Sequence, residues 1–216
     1  MPILNTPYQL YLVTDTSCLP KHTTLIDAVE QAILGGVSMV QLREKTATTQ
    51  SFYEQALAIK NLCQAKNIPL LINDRLDIAL AVGADGVHLG QSDMPCHVAR
   101  RILGADKIIG VSVKNASEAK QAKTQGANYL GVGAVFETTT KSLTKPLKME
   151  TLAQIVHEVD LPIVLIGGIN ETNLSMLQHQ LKTHQISVAG VAMASAILAK
   201  SNPFATCQQL KQLLAL

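Results

Sequence analysis

The sequence predicts an α/β fold of the (β/α)8, or TIM, barrel type, one catalytic domain over residues 1–216, and three observations carry that expectation. Short apolar runs alternate strictly with amphipathic helical stretches, eight of each. Such alternation gives a parallel sheet, and eight units close it into a barrel. Gly35, Gly83 and Gly126 each end a helix just before a strand, a supersecondary repeat of about 45 residues. A doubly wound open sheet would carry a glycine-rich turn after its first strand, and Val13-Thr14-Asp15-Thr16-Ser17 has none.

Taken in order, Tyr8 to Asp15 reads as the first strand, and Leu25, Val29, Ala32 and Ile33 share a helical face that Gly35-Gly36 stops. Ser38 to Leu42 is the second strand, and Phe52, Ala56, Ile59 and Cys63 mark its long amphipathic helix. Ile68 to Asp74 is the third, with a helix through Leu80; Gly86 to Gly90 is the fourth, with a helix toward Leu103. Ile108 to Val113 is the fifth, followed by a helix from Ser117 to Gln125. Tyr129 to Phe136 is the sixth, before the helix of Leu152, Ile155, Val156 and Val159. Pro162 to Ile166 is the seventh and Ser187 to Met193 the eighth, followed by a short helix from Ala194 to Lys200 and a last one from Pro203, capped by Asn202.

Composition narrows the function. With 47% hydrophobic and 16% charged residues the chain can bury a large core, while a net charge of +2 and 3% aromatics suit neither a phosphate backbone nor stacked bases. Cys18, Cys63, Cys96 and Cys207 are dispersed and read as free thiols. No apolar run reaches the roughly 20 residues of a membrane span, and the start lacks a leader pattern, so the cytoplasm is the expected compartment.

A barrel gathers its strand C-terminal ends at one face, which brings Arg43, Lys45, Asn73, Asp74, Asp93, Ser112, Lys141, Gly168 and Ser195 together. Asp74 and Asp93 follow neighbouring strands and can share one Mg2+ with phosphate oxygens and water. Alternatively Asp74 pairs with Arg75 or caps the next helix, and Ser92-Asp93-Met94-Pro95 is a helix start. Gly167-Gly168 and Ala194-Ser195 follow strands seven and eight, where such barrels hold phosphate, although Gly167-Gly168 also reads as a tight turn. His88, inside an apolar strand, reads as a satisfied core histidine, and no Ser-His-Asp arrangement is legible.

Q-L-R-E-K at 41–45, I-N-D at 72–74, H-L-G-Q-S-D at 88–93, G-V-S at 110–112, T-T-T-K at 138–141, G-G-I at 167–169 and A-S-A-I at 194–197 together resemble the thiamine-phosphate synthase family, in order along essentially the whole chain. The resemblance implies a barrel enzyme that joins an aminopyrimidine methyl diphosphate to a thiazole phosphate, releasing diphosphate. It implies that Gln41, Leu42, Arg43, Glu44, Lys45 and Asn73 bind the pyrimidine diphosphate and that Asp74 and Asp93 hold Mg2+. Ser112 and Lys141 would complete the diphosphate site and, with Arg43 and Lys45, act in catalysis. Thr138, Thr139 and Thr140 would lie near the thiazole phosphate with Gly168, Ala194 and Ser195.

Three positions depart from the family pattern: Glu137 and Ala134 where proline is usual, and Lys114 where histidine is frequent. A thiazole tautomerase and a non-catalytic ligand-binding barrel are the competing functions. The first wants a general acid or base of near-neutral pKa, and the second has no need of the full charged set. The polar segment from Glu137 to Lys145 is expected to order over a bound ligand. A homo-oligomer is compatible with the sequence, and small-molecule substrates are the expected partners.

Overall fold

A computed structural model describes residues 3, 6–137 and 146–215. Eight parallel strands close a barrel in sequence order: β1 (Leu10–Val13), β2 (Met39–Leu42), β3 (Leu70–Asn73), β4 (Gly86–Leu89), β5 (Ile108–Val113), β6 (Tyr129–Gly133), β7 (Ile163–Ile166) and β8 (Gly190–Met193). Between them run α1 (Leu25–Leu34), α2 (Thr49–Ala65), α3 (Leu76–Ala81), α4 (Cys96–Leu103), α5 (Ala116–Thr124), α6 (Met149–Glu158) and α7 (Leu174–Thr183). After β8 come the short α8 (Ser195–Leu198) and α9 (Pro203–Leu214). Every expected strand forms, most of them shorter than the apolar run that announced them. The polar residues at the run ends leave the ladder for the loops. A 3-10 turn over Thr16–Cys18, held by the Asp15 side chain, was not expected.

Local chemistry sets the helix starts. Thr24, Thr48, Asn115 and Asn202 each accept the N–H three residues on, at 2.9–3.2 Å. Among the described residues all four cysteines are free thiols, three of them buried.

Alternation along each strand divides the core into two layers. Outward residues such as Leu12, Val40, Leu70, Ile72, Val87, Ile109 and Val132 pack under the helices. Inward residues Tyr11, Val13, Met39, Leu71, Tyr129, Val164 and Ala192 fill the barrel. Two bulky inward rings need glycine opposite them. A Cβ on Gly110 would lie 2.1 Å from Tyr129 Cζ, and one on Gly131 would lie 2.9 Å from His88 Cε1.

The face of the strand N-termini is closed by Arg100 of α4. Its guanidinium donates to Gly126 O at 2.8 and 3.1 Å, Gly104 O at 2.7 Å, Lys107 O at 2.7 Å and Asn128 Oδ1 at 2.5 Å. It thereby ties the turns that enter β5 and β6. Arg100→Met strips several part-buried acceptors of a charged donor and should cost about 3 kcal/mol in urea unfolding at unchanged m-value. A loss below about 1 kcal/mol would mean that water replaces the guanidinium without penalty.

Candidate active site

The strand C-terminal ends carry the polar groups that the interior excludes. Asn73 ends β3, and Asp74 follows it with its backbone N–H on His88 O at 2.9 Å. Asp74 adopts φ 60°, a left-handed conformation that aspartate tolerates better than most residues. Lys45, whose side chain is 50% exposed, donates its Nζ to Asp74 Oδ2. Asp93 turns back across its own loop to accept Gly90 N–H at 2.7 Å. A Cβ on Gly90 would stand 2.9 Å from that carboxylate oxygen, so glycine leaves the room in which Asp93 sits.

The two carboxyl groups are near enough to perturb each other's charge. Burial pushes Asp93 up, the neighbouring Asp74 pushes it further, and the Gly90 N–H offsets this only in part. Asp74 stays below the ordinary carboxylate value: burial opposes its charge, but the neighbouring Asp93 carboxyl and the Lys45 ammonium outweigh burial. Two such groups side by side require a shared proton or a cation. Asp74 neither pairs with Arg75 nor caps α3, and the helix start read at 92–95 is present, although Asp93 does not cap it. Arg75 pairs with Asp77, at 2.7–2.9 Å, and α4 starts at Cys96, after Pro95, without a side-chain cap.

A second polar system crosses the barrel interior. Gln41 Nε2 donates to Tyr11 Oη at 2.9 Å, Tyr11 and Tyr129 hydroxyls lie 2.9 Å apart, His88 Nδ1 lies 2.7 Å from Tyr129 Oη, and His88 Nε2 lies 2.8 Å from Ser112 Oγ. Burial raises both phenols well above their usual pKa, so each keeps its proton. The satisfied-histidine expectation for His88 holds. Its serine partner was not legible, because His88 and Ser112 are 24 residues apart and meet only through the β4–β5 register. Tyr11 and Tyr129 were also missed. Their signal was inward-facing aromatic positions in a chain with four tyrosines.

The other expected residues divide by what they touch. Arg43 Nη1 lies 3.7 Å from Asp15 Oδ2, with its backbone N–H on Thr14 Oγ1 at 2.9 Å. Glu44 folds onto its own loop: burial works against its charge, but the N–H groups of Thr46, Lys45 and Ala47 and the Thr46 hydroxyl hold its carboxyl below the usual range. The Leu42 side chain lies in the outer apolar layer, so only its backbone faces the rim. Gly167 and Gly168 have φ 103° and 68°. A Cβ on either would strike the 134–137 segment, at 2.5 Å from Ala134 Cβ and 2.4 Å from Glu137 O. Backbone geometry alone therefore demands this glycine pair. Ala194 precedes α8, and Ser195, its first residue, is exposed. Of the departures, Lys114 is exposed and gives its backbone N–H to Glu118 at 2.8 Å. Thr138, Thr139, Thr140 and Lys141, and with them most of the expected ligand-ordered segment, lie outside the described residues.

Asn73 is 8% exposed, and its Nδ2 has no hydrogen-bond partner among the described residues. A buried unpaired donor costs about 1–3 kcal/mol and suits a ligand acceptor. Asn73→Leu should therefore raise stability toward urea by roughly 1 kcal/mol, and a marked loss instead would show that the amide is paired in solution.

Residues 10–197 match the family model described as thiamine monophosphate synthase. The chain is 48% identical over 206 residues to the thiamine-phosphate synthase of Ruminiclostridium cellulolyticum, covering 95% of each chain. It is 50% identical over 194 residues to that of Clostridium acetobutylicum, covering 90% of this chain and 89% of the relative. The structure of thiamine phosphate pyrophosphorylase from Pyrococcus furiosus superposes with a TM-score of 0.84 at 34% identity, over 97% of this chain and 96% of that one.

Proposed function

The chain belongs to the thiamine monophosphate synthase family, and we propose that its transferase reaction is carried by the rim cluster of Lys45, Asp74 and Asp93 acting on a diphosphate. The activity joins an aminopyrimidine methyl diphosphate to a thiazole phosphate, giving thiamine phosphate and diphosphate. The observation that carries the assignment is the Lys45 ammonium on Asp74, with the Asp93 carboxyl beside it.

That donor set fits a hard divalent cation. Two carboxylates from adjacent strand ends leave most coordination positions to phosphate oxygens and water, as Mg2+ prefers. Among the described residues no cluster of three or more acidic, histidine or cysteine side chains offers a closed protein cage. When bound, Mg2+ would neutralise charge gathering on the departing diphosphate. Asp74 and Asp93 would hold it, and Lys45 would turn its ammonium toward the phosphate oxygens.

Positioning accounts for the rest of the chemistry. The methylene that loses diphosphate is attached to a ring whose amino group delocalises the developing cation, so no protein nucleophile is required. Arg43 supplies a second cation beside β1, Ser112 a hydroxyl at the end of β5, and Asn73 an amide N–H that no described residue uses. The backbone around Gly168, Ala194 and Ser195 would hold the thiazole phosphate. Lys141 and Thr138 to Thr140 are assigned to the same two phosphates by resemblance. The small-molecule substrates and the buried free thiols suit the cytoplasm. No helix of the described residues is long and apolar enough to cross a membrane.

Asp74→Asn and Asp93→Asn should each lower Mg2+-dependent diphosphate release by at least about tenfold, or roughly 1.4 kcal/mol of barrier. Normal magnesium-dependent turnover in both variants would remove the metal assignment. Ser195→Asp should weaken thiazole phosphate far more than the pyrimidine diphosphate, because a carboxylate there repels the anion. Calorimetry showing equal weakening of both ligands would move Ser195 out of that role.

A further inference from the structure

The 2.8 Å contact between Ser112 Oγ and His88 Nε2 allows two opposite chemistries. If that nitrogen is bare, the serine is a nucleophile beside its base. If it carries the proton, the serine oxygen accepts and the hydroxyl hydrogen is left to donate elsewhere. The choice is made at the other ring nitrogen, since a neutral imidazole has one donor and one acceptor.

His88 Nδ1 meets the Tyr129 hydroxyl, which meets the Tyr11 hydroxyl, which meets Gln41 Nε2, at 2.7, 2.9 and 2.9 Å. An amide NH2 only donates. A buried Tyr11 hydroxyl that accepts from Gln41 finds an acceptor for its own hydrogen only in Tyr129, and Tyr129, accepting there, gives its hydrogen to Nδ1 of an uncharged imidazole. The imidazole is left with its proton at Nε2, facing Ser112. Burial keeps both phenols protonated, so neither link is broken by ionisation.

We propose that Tyr11, Tyr129 and His88 are positioning residues that form a one-way hydrogen-bond relay from Gln41 to Ser112. The relay makes the carbonyl end of the Gln41 amide an acceptor and the Ser112 hydroxyl a donor. This rests on the reading above, in which Gln41 binds the pyrimidine diphosphate and Ser112 completes the diphosphate site, and it gives Gln41 the pyrimidine end of that ligand. An aminopyrimidine offers Gln41 a donor and so agrees with the relay. A 4-oxo analogue offers an acceptor and would favour the flipped amide, which reverses every link and turns the Ser112 hydrogen back onto His88. The relay thus makes the pyrimidine substituent a determinant of leaving-group assistance, and it denies Ser112 a base.

The tautomer can be read in the unaltered, substrate-free protein by two-bond proton–nitrogen correlation of the imidazoles, with His88 assigned by its disappearance in His88→Gln. Protonation at Nε2 alone is expected, and a proton on Nδ1, in the other tautomer or in the cation, would overturn the relay. Kinetics gives the second arm. Tyr129→Phe deletes one oxygen and two links, and should lower kcat by about tenfold or more with little change in the KM for the thiazole phosphate. Combined with Ser112→Ala it should cost no more than Ser112→Ala alone, whereas fully additive losses would contradict the coupling. An inactive wild-type protein would sink the functional reading and leave the relay to be decided by the spectrum.

Discussion

A phenol enclosed in a barrel must find partners for its hydroxyl, and the interior of this molecule is arranged around the two that Tyr129 finds. The desolvated oxygen is costly if unpaired, so Tyr11 and His88 are held within 2.9 Å of it. Its ring needs the space that Gly110 leaves, and the His88 ring needs the space that Gly131 leaves. Five strands, β1, β2, β4, β5 and β6, are thereby tied through side chains as well as through the ladder. The upper interior becomes a hydrogen-bonded polar floor under the rim.

Much of the fold was legible because each β/α unit repeats one physical pattern. A strand buried on both faces must be a continuous apolar run, and the helix over it must be amphipathic, so period and composition agree. Strand ends were less legible. Tyr8 to Asp15 reads as one run, yet only Leu10–Val13 is in the ladder, because Asp15 instead holds the 3-10 turn and faces Arg43. Asp74 and Asp93 could be placed at one rim from adjacency alone. That they sit side by side, with Lys45 on one of them, depends on the left-handed backbone at Asp74 and the missing side chain at Gly90. Neither signal is periodic. The pairing of His88 with Ser112 follows from barrel register, which no local window contains.

Stability and chemistry are drawn from opposite ends of the barrel. Arg100 satisfies carbonyl groups at the strand N-termini, and Lys60 meets Asp85 there at 3.0–3.1 Å while Asp85 also accepts Leu70 N–H. At the other end an amide nitrogen is buried without a partner among the described residues, and two carboxyl groups are crowded together. Those are the costs expected where a protein holds groups ready for a ligand.

The left-handed backbone at Asp74 bears on how variants of this enzyme are interpreted. At φ 60° an L-residue with an ordinary side chain is strained by about 1–2 kcal/mol, while asparagine, aspartate and glycine are largely exempt. An alanine scan would therefore record at Asp74 the sum of a lost carboxylate and a resisted backbone, and a growth-based library would score it as a folding position. Only the asparagine and glycine alleles separate the two. In a deep mutational map this site should show tolerance ordered by backbone preference for expression and by charge for flux, two rankings that meet at aspartate and part at asparagine, glycine and glutamate.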